Sequence, residues 1–284
     1  MSRCLGWSAW ALTAVILWGS VAQGAGRRAP PPGSRYVSMG SSFAAGPLVG
    51  TPADTPPDRC RRSIDNFAHQ LARKRRLDLI DVSCSGATTA NVLAPWSELP
   101  AQIDAVTSDT RLVTITIGGN DVQYTGNLMR AACAFARADD GKPRVCPPTP
   151  VVPEAAYAKV AAAMREIVAA VRARAPQARL IFVDYLTVLP QDGVCALTPM
   201  SNADAAVSRT VAARLAALTR DVAVETGAET VRASKISRGH DACSIHPWVS
   251  GFADLRSART AAPYHPNGVG MAALANALDR QLGR

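Results

Sequence analysis

The stretch at 36–46, Tyr-Val-Ser-Met-Gly-Ser-Ser-Phe-Ala-Ala-Gly, joins a short apolar run to a cluster of small residues. Residues 35–39 read as a strand, because β-branched and aromatic side chains suit a pleated, buried surface. The glycine and serines that follow read as a tight turn. A strand that runs straight into such a turn offers the turn's side chains at the edge of a sheet, and the side chain offered here is Ser42.

Outward from this stretch the same pattern repeats. Further strands are predicted at 77–83, 112–117, 179–183 and 229–231, and helical periodicity at 64–74, 154–175, 203–225 and 269–282. Pro153 precedes one of these helices and Asn267-Gly268 the last. Alternating strands and helices imply an α/β fold, a single-domain three-layer α/β/α arrangement around a central parallel sheet, expected over residues 34–284. Two segments, 124–153 and 235–266, break the alternation and read as irregular. Long irregular stretches in a compact domain are usually functional or tied down, and these hold Cys133, Cys146 and Cys243.

The chain has 284 residues, 48% hydrophobic and 19% charged, which suffices for a large core and excludes a disordered chain or a fibre. Residues 1–22 carry Arg3, an apolar run and small residues at Ser20 and Ala22, the pattern of a cleaved secretory signal peptide. A Pro- and Gly-rich flexible segment follows at 23–33. Of the seven cysteines, Cys4 leaves with the signal, so Cys60, Cys84, Cys133, Cys146, Cys195 and Cys243 remain as an even set in an oxidising compartment. Disulfides are expected, with the pairing left open by the sequence. Zinc is disfavoured, since the chain has no C-x2-C spacing, and no metal or organic cofactor is expected. The net charge of +9 includes the run Arg73-Lys74-Arg75-Arg76, which reads as the cationic end of a helix. No aromatics interleave with it, which argues against nucleic acid, while the overall charge suggests weak association with anionic membrane or cell-wall surfaces. His69, His240 and His246 read as structural or loop residues.

Chemistry concentrates in four places, each just after a predicted strand or just before a helix, where open α/β sheets hold their ligands. They are the turn with Ser42, then Cys84-Ser-Gly-Ala-Thr-Thr at 84–89, Ile-Thr-Ile-Gly-Gly-Asn-Asp at 115–121, and Tyr-His-Pro-Asn-Gly-Val-Gly at 264–270. Each alone is a weak signal. In this order the chain resembles the SGNH, or GDSL-type, hydrolase superfamily of esterases and lipases. The cysteine spacing and the segment His240-Asp-Ala-Cys-Ser through Trp248 are most similar to its secreted actinobacterial lipase, esterase and phospholipase branch.

The resemblance implies a flavodoxin-like hydrolase fold and a secreted, monomeric serine ester hydrolase acting on carboxylic or lipid esters through an acyl-enzyme. It implies Ser42 as nucleophile, His265 as base, and oxyanion donors from the N–H groups of Ser42 and Gly86 and the amide of Asn120. It also implies the pairing Cys60–Cys84, Cys133–Cys146 and Cys195–Cys243. Two departures stand out. Ser41 occupies the place of the family's aspartate beside the nucleophile, and Ala262 occupies the place of its acid, three residues before the histidine. The expected replacement is the backbone carbonyl of Ala262, giving a Ser42–His265 dyad, with Asp254 as the fallback acid. A catalytically impaired surface or cell-wall binding protein on the same scaffold is the alternative that these departures keep open.

Overall fold

β1 (Arg35–Gly40) is buried from Tyr36 onward, on both faces and with Ser38 included, as a central strand covered on both sides is. In this computed structural model, which describes residues 28–56, 58–133, 146, 149–252 and 261–283, β1 lies between β2 (Asp78–Asp81) and β3 (Thr110–Thr116). β4 (Arg179–Val183) and β5 (Glu229–Val231) complete a five-stranded, all-parallel sheet in the order β2-β1-β3-β4-β5. Val37 faces Ile80 on one side and Val113 on the other, and Gly40 pairs with Thr116 where β1 ends.

This order reverses direction between β1 and β3. Right-handed crossovers therefore place helices on opposite faces on the two sides of that point. α2 (Phe67–Arg75) packs against α8 (Gly268–Leu282) on one face. On the other, α5 (Glu154–Arg174) packs against α3 (Thr89–Leu93) and α6 (Asn202–Thr226), and α6 also meets α4 (Tyr124–Cys133). The short helices α1 (Ser42–Ala45) and α7 (Ala233–Ile236) follow β1 and β5 directly. The crevice at the carboxyl ends of β1 and β3 is where such a sheet holds its ligand.

Local chemistry explains the helix ends. Asn66 caps α2 by accepting from the N–H groups of Ala68 and His69, and Ser201 caps α6 by accepting from Asp204. The helix expected at 64–74 therefore starts at Phe67, because the Asn66 cap falls inside the apolar pattern, and Ile64 lies ahead of it, 38% exposed. The segment expected to be irregular from residue 124 instead opens with ten residues of helix. Tyr124, Leu128, Ala131 and Ala132 bury one face of α4, at helical spacing that Thr125, Gly126 and Asn127 obscured.

The basic run closes α2, with Arg76 in the left-handed C-cap conformation. Lys74 and Arg75 both pair with Asp279 on α8, so the cations also fasten two helices together. The far end of α8 is held by Arg179, which forks onto Glu229 and donates to the carbonyls of Gln281 and Leu282. The cysteines pair as Cys60–Cys84, Cys133–Cys146 and Cys195–Cys243, the connectivity implied by the resemblance. The signal segment and Asp254 lie outside the described residues.

Candidate active site

Gly40 ends β1 with φ +127, and a Cβ there would stand 2.3 Å from the Thr116 carbonyl oxygen. Only glycine permits this approach of β1 to β3. The chain then turns at Ser41, whose N–H donates to that same carbonyl at 2.9 Å, and Ser42 becomes the first residue of α1. Gln102 fixes the turn from below, accepting from the Gly40 N–H at 2.7 Å and donating to its carbonyl at 3.0 Å.

His265 arrives from the opposite end of the chain. The carbonyl of His265 accepts from Ser250, and Tyr264 donates to Ser250 in return, so the histidine segment lies against 249–250 like a strand. Tyr264 is fully buried, with φ +61 and its ring stacked on Phe252. Beyond the histidine, Asn267 caps α8 through Gly270 at 2.9 Å and donates to the Pro247 carbonyl at 2.8 Å. Asn267→Ala is expected to cost about 1 kcal/mol of unfolding free energy in urea titrations, the usual loss for such a cap.

These two arms meet. Ser42 Oγ lies 2.7 Å from His265 Nε2, and His265 Nδ1 lies 2.7 Å from the carbonyl oxygen of Pro263. The acceptor is thus Pro263 and not the expected Ala262. The Ala262 carbonyl closes a turn by accepting the backbone N–H of His265 at 3.1 Å, which leaves the next carbonyl facing the ring. A carboxylate at 262 would reach the imidazole with its side chain, whereas a main-chain acceptor must come from the peptide that the turn presents. Burial pulls the His265 pKa below the ordinary histidine value, and the Pro263 carbonyl opposes this by stabilising the protonated ring. Phe43 covers the imidazole, ring centroids 5.0 Å apart.

The other two turns reach the same sheet edge. The Cys84 N–H donates to the Gly40 carbonyl at 2.9 Å, which brings the 84–87 turn over the end of β1. Gly86 has φ +88 and faces the Trp96 ring, 3.3 Å from where a Cβ would stand. After β3, Asn120 donates through Nδ2 to the Ala87 carbonyl at 2.8 Å. Among the described residues, the N–H groups of Ser42 and Gly86 donate to no protein acceptor. The arrangement can abstract a proton from the serine and offer N–H donors beside it.

Three supports were not foreseen from the sequence. Asp121 accepts from the hydroxyl of Thr89 at 2.6 Å and from its N–H, locking the third turn to the second. Tyr185 accepts from the Gly119 N–H at 2.8 Å and lies 3.4 Å from Ser41 Oγ, where the family's aspartate would stand. Burial pushes its phenol up to about 12, so it stays protonated. The signal was present: Tyr185 stands just past the end of a predicted strand. Phe43, beside Ser42, read only as a turn residue.

The chain is similar to several known proteins. The sequence profile of the GDSL-like Lipase/Acylhydrolase family matches residues 38–273. The chain is 34% identical over 241 residues to Lipase 2 of Streptomyces coelicolor, across 83% of this chain and 81% of that one. The crystal structure of the extracellular lipase from Streptomyces rimosus superposes with a TM-score of 0.68 at 25% identity, across 87% of this chain and 99% of that one. Phospholipase A1 from Streptomyces albidoflavus NA297 shares the fold with a TM-score of 0.66 at 22% identity, over the same shares of the two chains.

Proposed function

The chain belongs to the GDSL-like lipase/acylhydrolase family and is an ester hydrolase; from that premise we propose that it works through an acyl-enzyme on Ser42. The carrying observation is the 2.7 Å contact between Ser42 Oγ and His265 Nε2. His265 takes the hydroxyl proton as the oxygen attacks the ester carbonyl, and returns it to the leaving alcohol. Water then attacks the acyl-enzyme, with His265 again accepting and returning a proton. The Pro263 carbonyl holds the Nδ1–H tautomer and stabilises the imidazolium, which makes the machinery a dyad with a main-chain orienter. The N–H groups of Ser42 and Gly86 and the Asn120 amide receive the oxyanion.

The substrate class is a carboxylic or lipid ester. Export is supported by three disulfides and by similarity to an extracellular lipase. A fluorophosphonate probe is expected to label wild type at Ser42, seen by peptide mass spectrometry, and to leave Ser42→Ala unlabelled. Wild-type protein that neither labels nor turns over short and long acyl p-nitrophenyl esters would favour the impaired binding protein instead.

The depressed His265 pKa sets a pH dependence. The imidazole must be neutral to accept the proton, so activity is lost as pH falls through its pKa. The acid limb of kcat/KM is expected to have its midpoint below about 6.5, the ordinary histidine value, in a stopped-flow or pH-stat profile.

A further inference from the structure

A second cavity of about 500 Å³ opens at the carboxyl ends of β4 and β5, and neither Ser42 nor His265 lines it. Its size is that of a small-ligand site. One wall is a face of α6 on which Ala212, Ala213, Ala216 and Ala217 follow Ser208 at helical spacing. The opposite wall comes from the irregular segment following β4, through Val188 and Leu189, and from the region of α7, through Arg232 and Arg238. Four alanines facing one neighbour leave room that larger side chains would fill.

Two further features of the cavity concern its polar groups. Arg232 and Arg238 have no carboxylate within ion-pairing distance among the described residues, although both line the space. Of the two carboxylates on the wall, Asp184 accepts from both the N–H and the hydroxyl of Ser234 and feels the charge of Arg232 without pairing with it, and Asp241 accepts from the Cys243 N–H. The second feature is Ser208, 1% exposed, whose hydroxyl has no partner among the described residues. A helical serine or threonine ordinarily returns its hydroxyl to the carbonyl four residues back. Thr210 and Thr219 on the same helix do so, to Ala206 and Leu215, and Ser208 does not. Its oxygen is closed off from solvent, so Ser208 marks the buried end of the alanine face.

We propose that this cavity binds an amphiphile with a single anionic head group, a carboxylate or a phosphate monoester, on a short alkyl chain. The arginine pair takes the head and the alanine face of α6 takes the chain. The cavity wall reaches the candidate active site through aromatic contacts: Tyr124 lies edge-on to Tyr185 at 5.7 Å, and Tyr185 packs on Phe43 at 4.7 Å. The two sites are nonetheless lined by different residues, so the proposal does not depend on the acyl-enzyme reading.

Calorimetric titration of the Ser42→Ala protein with octanoate, octyl phosphate, octanol and inorganic phosphate, each below its micelle concentration, tests it. At least one of the two anionic amphiphiles is expected to bind at least tenfold more tightly than both octanol and inorganic phosphate, and the better of the pair identifies the head group. The double variant Arg232→Ala/Arg238→Ala and the cavity-filling Ala216→Phe are each expected to weaken that binding at least tenfold. Ala213→Trp, at an exposed position on the same face, replaces Ala216→Phe if the latter fails to fold by circular dichroism. Octanol or inorganic phosphate binding as tightly as the amphiphiles, or affinity unchanged in either the arginine variant or the filled variant, overturns the proposal. Because the readout is binding, failure of Ser42 labelling leaves this result unaffected.

Discussion

Substituting His265 with alanine is expected to lower kcat for ester hydrolysis by about 10⁴- to 10⁶-fold, and the Ser42→Ala/His265→Ala double variant to lose no more than the single variants do. Among the described residues the hydroxyl has no other base within reach: its imidazole partner lies at 2.7 Å, and the orienting group behind that ring is a carbonyl that cannot itself accept the proton. Once either half of the pair is gone, the other has nothing to act on, which is why the losses do not add. The same geometry predicts that Asp254→Asn keeps activity within about threefold of wild type, since a dyad oriented by Pro263 asks nothing of a carboxylate. A loss in Asp254→Asn approaching that of His265→Ala would replace the dyad with a triad. Steady-state kinetics on p-nitrophenyl butyrate reads all four variants against wild type.

The second large effect is expected at Asn120. Its Nδ2 group carries two hydrogens, and the Ala87 carbonyl takes one of them at 2.8 Å. The other is available to an oxyanion, held in place by the contact the first one makes. Asn120→Ala is expected to cost about 10²- to 10³-fold in kcat with KM nearly unchanged, because the donor is strongest where charge develops. Asn120→Asp keeps the shape and places a negative charge against the developing oxyanion, so its loss should exceed that of the alanine variant. A raised KM with kcat intact in Asn120→Ala would make the residue a substrate-binding group and remove it from transition-state stabilisation. Asp121, clamped to Thr89, provides an indirect control: Asp121→Asn should weaken the support of the turn and act more mildly than either Asn120 variant.

Much of this site was legible because it sits at strand ends. β4 and β5 occupy the predicted residues, and β1 and β3 differ from their predicted spans by no more than a residue or two, since each is rich in β-branched or aromatic residues that suit a sheet. Once strands are placed, the turns that follow them are placed too, and Ser42, Gly86 and Asn120 come with those turns. What escaped was set by main-chain geometry or by distant contacts. The orienting carbonyl moved from Ala262 to Pro263 because of a turn built around a left-handed Tyr264, and a tyrosine in that conformation leaves no trace in a sequence. Tyr185 reaches Ser41 and Gly119 across 144 and 66 residues, contacts that no local pattern encodes. The start of α4 was hidden by weak helix formers whose cost its buried face offsets.

Ser42 and His265 are separated by 223 residues and meet only when the last helix has docked. α8 is held at its far end by Arg75 and Arg179, so the base reaches the nucleophile only after elements from the whole length of the chain are assembled. A chain growing from the N-terminus carries its nucleophile from the first strand onward and its base almost at the end. With the proposed dyad, timing is therefore built into the topology: every nascent or truncated form that stops short of residue 265 has a serine with no imidazole beside it, and hydrolytic competence waits for the docking of α8.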